Sequence, residues 1–259
     1  MIQAAFFDLD KTIIAKSSTL AFTGKLHKAG FLGRRTLMRA ALSQTFYVLF
    51  GADHDQLEKT REMLMDLTKG WDQAEIEALV EQTLDEVVAP LVYAEALFLI
   101  DEHLREGRKV YIVSASPEEV VRPLARSIGV EDVIATKARV DDKGRYTGEV
   151  ELYAYAETKA EVIRAVAEEH DIDLSESYAY SDSATDLPMM RAVGHPVAVN
   201  PDRELKEACE RNGWPILEFT RQVGLTTRLT RPVPLISGAT LMLGIGAVAA
   251  WILTRRKGR

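Results

Sequence analysis

Four short apolar runs in this chain each stop abruptly at a polar residue, and this pattern restricts the fold more than any other feature. Residues 2–7 end at Asp8, and residues 108–113 end at Ser114. Residues 177–180 lead into Ser181 and Asp182, and residues 196–199 into Asn200 and Pro201. Runs this short and this apolar read as strands buried on both faces. Helical patterns lie between them, for example over 93–106, 117–128 and 158–170. Strands alternating with helices predict an α/β fold with a doubly wound parallel sheet. Such sheets carry their sites at the carboxyl ends of the strands, where Asp8, Ser114 and Asp182 fall.

Two stretches break the alternation. Residues 15–90 show no strand pattern. Ile76, Leu79, Val80, Thr83, Leu84, Val87 and Val88 recur at helical spacing, Leu57, Leu64 and Leu67 suggest another helix, and residues 36–50 a third. This segment reads as an all-helical insert. Residues 138–152 read as a hairpin turning at Asp141-Asp142-Lys143-Gly144. The domain expectation is therefore an α/β core over 1–14 and 91–220 with a helical insert over 15–90.

A chain of 259 residues, 47% hydrophobic and 27% charged, is long enough for a full α/β core, and its composition excludes disordered, collagenous and disulfide-scaffold classes. Its lone cysteine, Cys209, forms no intrachain disulfide. The net charge is −7. Four basic residues, Arg255, Arg256, Lys257 and Arg259, crowd the C-terminal end, so the rest is more acidic still. Such a body repels nucleic acid and argues against that partner.

The N-terminus lacks the basic start of a signal peptide, and Asp8 and Asp10 interrupt its apolar run. The C-terminus differs. No charge occurs from Pro232 to Thr254. The apolar centre, 235–253, would span roughly 28 Å as a helix, about the hydrocarbon thickness of a bilayer. Trp251 and the basic cluster that follows resemble interfacial anchors. The expectation is a linker over 221–233, a transmembrane helix over 234–254 and a basic tail over 255–259. The protein would then be single-pass in the cell membrane, with the preceding body in the cytoplasm. Oligomeric state is not legible.

The stretch Asp8-Leu9-Asp10-Lys11-Thr12 delivers two carboxylates after the first apolar run; continued as a regular strand, it would turn both to one side of the sheet. Helix capping or a surface turn is the plainer reading. Val113-Ser114-Ala115-Ser116-Pro117 stands at a strand-to-helix junction. Its Ser114 hydroxyl and backbone N–H groups would cradle a phosphate oxygen, or Ser116 would simply cap a helix beginning at Pro117. Lys159 begins a helical run, where most lysines are solvated. Asp182 ends the third apolar run and Asp186 follows it, at a position that helix capping also explains. Brought together, Asp8, Asp10, Asp182 and Asp186 would repel one another without a cation. Oxygen ligands suit a hard ion, Mg²⁺ in particular. A bound phosphate dianion would add to the negative charge and call for Lys159 as well.

In this order the motifs resemble the haloacid dehalogenase (HAD) superfamily, specifically its phosphoserine-phosphatase-like subfamily IB. Asp8-Leu9-Asp10-Lys11-Thr12 looks like its first motif, Ser114 its second, Lys159 its third and Asp182-Ser183-Ala184-Thr185-Asp186 its fourth. The resemblance covers about residues 1–220 and implies a Rossmann-like core, a cap at the helical insert, and a Mg²⁺-dependent phosphomonoesterase acting on a small phosphorylated metabolite; the expected membrane tether adds a lipid-derived phosphate as a second substrate class. It implies Asp8 as nucleophile and Asp10 as general acid and base. Asp8, Asp182 and the Asp10 carbonyl would hold Mg²⁺. Ser114, Ala115 and Lys159 would bind the phosphoryl group, with Asp186 and Thr12 supporting. Ser181 stands where the family usually has glycine, a change expected to matter little. Ser17 and Ser18 occupy the region where phosphoserine phosphatases carry a glutamate, which argues against phosphoserine itself. Arg34, Arg35 and Arg39 fit a solvated helix face better than an anion site. The histidines, His27, His54, His103, His170 and His195, have no metal-ligand spacing and read as surface or packing residues. A catalytically silent, membrane-anchored binding protein is the competing reading; it is disfavoured because no nucleophile or metal ligand is missing.

Overall fold

The computed structural model describes residues 2–33 and 65–222. The expected helix over 36–50, Leu57, Leu64, His54, the arginines Arg34, Arg35 and Arg39, and the whole apolar run 234–254 lie outside the described residues. Among the described residues no helix is long and apolar enough to cross a membrane.

Strand β1 is Ala4–Phe7, and every residue of it is buried. Alternate side chains serve opposite faces: Ala5 and Phe7 join one apolar cluster with Ile100, Ile112 and Leu124. Ala4 and Phe6 join a second with Val113, Ile163 and Met189. A strand buried on both faces cannot alternate polar and apolar, which is why its sequence reads as a continuous run. Strand β2 (Lys109–Pro117) pairs parallel on one side of β1 and β5 (Tyr178–Ser181) on the other. With β3 (Asp132–Val140), β4 (Tyr146–Leu152), β6 (His195–Val199) and β7 (Ile216–Leu217), the sheet order is β4-β3-β2-β1-β5-β6-β7. Among the described strands only the β3–β4 pair is antiparallel. This is the expected α/β parallel sheet.

Sequence reading fell short at the sheet's edges. The hairpin forms, but its first arm starts at Asp132 and joins the parallel sheet before turning at Asp141. Nor does β2 stop at Ser114. Ser114 pairs with Ala135 and Pro117 with Thr136, so Ala115 and Ser116 bulge out between two successive pairs.

Helix α1 (Ser18–Lys28), a helical turn over 65–68 and α2 (Gln73–Val87) occupy the described part of the insert, and no strand occurs there. Asp72 starts α2 by accepting from Ala74 N and Glu75 N at 3.0 and 3.2 Å, which satisfies two otherwise orphaned amides. The two connections to the insert lie together: the Ala15 amide donates to the Leu91 carbonyl at 2.8 Å, and that of Tyr93 to Ile13 at 2.9 Å. Helices α3 (Ala94–Arg105), α4 (Glu118–Ser127), α5 (Glu157–Glu169), α6 (Leu187–Arg191) and α7 (Arg203–Asn212) complete the layers. At the end of α7 Gly213 takes φ 66°, a left-handed cap that suits glycine.

Candidate active site

Parallel pairing brings distant acids to one edge. Phe7 lies opposite Tyr180, and the Asp8 amide donates to the Tyr180 carbonyl at 2.9 Å. Asp8 therefore stands beside the end of β5, one step from Asp182. Both are buried, at 6% and 7% exposure. Beyond Asp8 the strand does not continue. The Leu9 carbonyl accepts from Ile13 N and Ile14 N at 2.9 and 3.1 Å, and Lys11 takes φ 61° to close the turn. Strand alternation is therefore not what orients Asp10. Its Oδ1 accepts the backbone amide of Ser18 at 2.8 Å, at the start of α1.

Lys159 rises from the first turn of α5 into this edge and is 3% exposed. Its Nζ donates to Asp8 Oδ1 at 2.7 Å and to Asp186 Oδ2 at 2.9 Å. The solvated-lysine alternative is thereby overturned. Asp186 opens α6 but makes no side-chain cap there. Its carboxylate serves Lys159, and also accepts from Ser181 Oγ at 2.7 Å. Ser181 thus has a definite task, contrary to the expectation that a serine there matters little.

Burial opposes the charge on Lys159, but the carboxylates of Asp186 and Asp8 outweigh it and keep the ammonium above the ordinary lysine range. Burial also pushes the Asp8 carboxyl well above its usual range. Lys159 pulls it back, while Asp186 and Asp182 push it further up. Asp182 is pushed up to about 7, first by burial, against the pull of Lys11 and with Asp186 and Asp202 adding to the rise. The Lys11 ammonium lies 3.9 Å from Asp182 and is largely in solvent, so it neutralises little. One buried ammonium thus faces more carboxylate than it can balance.

No three His, Cys, Asp or Glu side chains group as a metal cluster among the described residues. The expected Mg²⁺ set needs only two carboxylates and a carbonyl oxygen. Oxygen donors alone, on adjacent strand ends and short of positive charge, fit a hard divalent ion.

Ser114 is buried, and its Oγ accepts from Ser116 N at 3.1 Å. Ala115 lies in the bulge of β2. Thr12 is fully buried, and among the described residues its Oγ1 has no hydrogen-bond partner. Ser116 does not cap α4: Pro117 holds the cap position, and Ser116 Oγ donates to Asp10 Oδ2 at 3.0 Å. Asp202 also escaped the sequence reading. It caps α7 through Leu205 N at 2.7 Å and accepts from Ala184 N at 3.0 Å, while its own amide donates to the Asp182 carbonyl at 2.7 Å. The Asn-Pro-Asp punctuation after β6 was the available signal for that cap. The signal at Ser116 pointed to a helix cap, not to Asp10. His103 is a packing residue: its Nε2 meets Tyr180 Oη at 2.8 Å, and burial, then Arg108, lower its pKa to about 3.

The model of haloacid dehalogenase-like hydrolases matches residues 5–191, which include Asp8, Asp10, Ser114, Lys159, Asp182 and Asp186. The chain belongs to the HAD hydrolase family. A probable phosphatase of Mycobacterium tuberculosis is 48% identical over 97% of this chain and 87% of its own length. A phosphoserine phosphatase of the same organism is 30% identical over 99% of this chain and 82% of its own. Among solved structures, a Bordetella pertussis protein of unknown function matches with a TM-score of 0.73 at 28% identity, covering 84% of this chain and 99% of that one. A phospho-aspartyl intermediate analogue of a phosphoserine phosphatase shares the fold, with a TM-score of 0.61 at 19% identity over 88% and 97% of the two chains. This HAD hydrolase is an enzyme of the phosphatase branch, among phosphoserine-phosphatase-like relatives.

Proposed function

We propose that this HAD phosphatase is a Mg²⁺-dependent phosphomonoesterase that works through an aspartyl-phosphate. The observation that carries the reading is the buried contact of Lys159 with Asp8 and Asp186. An ammonium held at that strand end fixes the Asp8 carboxylate and supplies positive charge where a phosphoryl group would sit. Lys159 engages Asp8 Oδ1, and no described residue donates to Oδ2.

In the first step an Asp8 oxygen attacks phosphorus, the ester P–O bond breaks, and Asp10 gives its proton to the departing alkoxide. In the second step Asp10 takes a proton from water, whose oxygen attacks phosphorus and releases phosphate and free Asp8. Ser114 and the backbone at Ala115 would bind phosphoryl oxygens beside Lys159. Asp8, Asp182 and the Asp10 carbonyl would hold Mg²⁺, with Asp186 supporting Lys159 and Thr12 lying alongside. The ion would supply the charge that offsets a phosphate dianion among these acids.

The helices within residues 15–90 would serve as the cap, and the uncharged run 234–254 as a membrane anchor that leaves the catalytic body in the cytoplasm. The anchor rests on sequence alone. A small phosphorylated metabolite is the proposed substrate class. Relatives named for phosphoserine keep that ester among the compounds to screen, although Ser17 and Ser18 occupy the region where phosphoserine phosphatases carry a glutamate.

Turnover of p-nitrophenyl phosphate by the purified protein, with Mg²⁺ and with EDTA, tests the reading. Hydrolysis should require Mg²⁺ and vanish in Asp8→Asn. Metal-independent turnover or an active Asp8→Asn protein would overturn it.

A further inference from the structure

A general acid must point its proton along a defined line, yet a free carboxylate turns readily about its last bond. Asp10 is not free. Oδ1 accepts the Ser18 amide at 2.8 Å, and Oδ2 accepts the Ser116 hydroxyl at 3.0 Å. These donors come from different parts of the fold. Ser18 is the first residue of α1 in the insert, and Ser116 sits in the β2 bulge of the core. Two donors on two oxygens lock the carboxylate plane, which one could not do.

Ser116 is itself held. Ser18 Oγ donates to Ser116 Oγ at 2.8 Å, and Thr19 Oγ1 lies 3.2 Å away. A hydroxyl has one proton and two lone pairs. With Ser18 donating to it, Ser116 has its own proton for Asp10, so the chain runs one way from Ser18 through Ser116 to Asp10. Ser18 is fully buried and Ser116 is 6% exposed, so water competes little for these bonds.

We infer that Ser116 is the positioning residue of Asp10, and that it makes the aim of the acid conditional on α1 being seated against the core. The inference rests on the phosphatase reading and deepens it. If α1 moves away, Asp10 loses the Ser18 amide and Ser116 loses Ser18 and Thr19. Proton delivery is then aligned only while α1 stays seated against the core.

Leaving groups separate this role from a merely structural one. A weakly basic nitrophenolate departs with little help, whereas phenolate needs the proton more. Values of kcat/KM for phenyl phosphate and p-nitrophenyl phosphate should be measured with Mg²⁺ in wild type, Ser116→Ala, Ser116→Thr, Ser18→Ala and Asp10→Ala. In Ser116→Ala the phenyl ester should lose about ten-fold more than the nitrophenyl ester, roughly what one charge-assisted hydrogen bond is worth. Ser18→Ala should skew the ratio less, in the same direction, and Ser116→Thr, which keeps the hydroxyl, should restore it. Equal losses on both esters in Ser116→Ala, with Asp10→Ala still selective, would overturn the inference. A wild-type enzyme with no Mg²⁺-dependent turnover would instead overturn the phosphatase reading. A ratio involves two substrates of one protein sample, so partial misfolding of a variant cancels from it.

Discussion

Replacing Lys159 with methionine keeps most of the buried stem and removes only the ammonium that Asp8 and Asp186 share. In the wild-type site the Nζ lies 2.7 Å from one carboxylate and 2.9 Å from the other. The side chains of Lys159, Asp8 and Asp186 are 4%, 9% and 3% exposed, so solvent cannot take over the lost partner. Breaking a buried ion pair from one side costs ~3–5 kcal/mol, because an uncompensated charge stays inside. Here two carboxylates are stranded, and Asp8 relieves the cost by taking up a proton. The Asp8 carboxyl already lies above its ordinary range, and loss of Lys159 moves it further up.

The sign follows from linkage. An acid whose folded pKa exceeds its unfolded value destabilises the fold fully above the folded pKa and not at all below the unfolded one. The penalty of Lys159→Met should therefore be largest near pH 8. It should shrink by at most about 1.4 kcal/mol per pH unit on acidification towards the ordinary carboxylate value. Urea unfolding of both proteins in EDTA, at several pH values, measures the difference. Adding Asp186→Asn to Lys159→Met should recover part of the loss by removing one stranded charge. A loss below ~1 kcal/mol at pH 8 would refute this account of the site. So would a pH-independent loss, or a double variant weaker than the single one.

Two further variants test the metal site and the packing of the core. In EDTA, Asp182→Asn should melt higher than wild type, with the gap opening as pH rises from about 4 to about 7, because a carboxyl pushed up to about 7 destabilises only where it is charged. Mg²⁺ should then raise the melting temperature of wild type but not of the variant, and an equal rise in both would remove Asp182 from the metal site. Gly194→Ala should destabilise by about 1–3 kcal/mol or more in urea titration, because a Cβ there would meet the Ser175 carbonyl oxygen at 1.7 Å; an unchanged midpoint would contradict that close approach.

How far the site could be read without coordinates differs from residue to residue. Asp8 and Asp182 were legible because a strand buried on both faces tolerates no acid, so an acid at its end stands out from the run before it. The parallel sheet was legible for the same reason. The first half of β3 was not: Ile134, Ala135 and Thr136 are buried, but Asp132 before them and Lys137 after them cut the apolar run short, and the turn at Asp141 pointed to the hairpin instead. Lys159 and Asp186 were legible only through family resemblance. By pattern alone one is a lysine in a helix and the other a capping acid.

Ser116, Ser18, Ser181 and Asp202 needed the folded chain. Serine is common beside helices and turns, and its local uses hide any distant one. Residues 10, 18 and 116 meet only because β2 pairs beside β1 and bulges where α1 begins. Local composition settled the sheet, its helical cover and the acids at its edge, since burial acts on each strand in turn. Which oxygen each hydroxyl reaches depended on packing between elements far apart in the chain, and a hydrogen bond switches on or off within a fraction of an ångström.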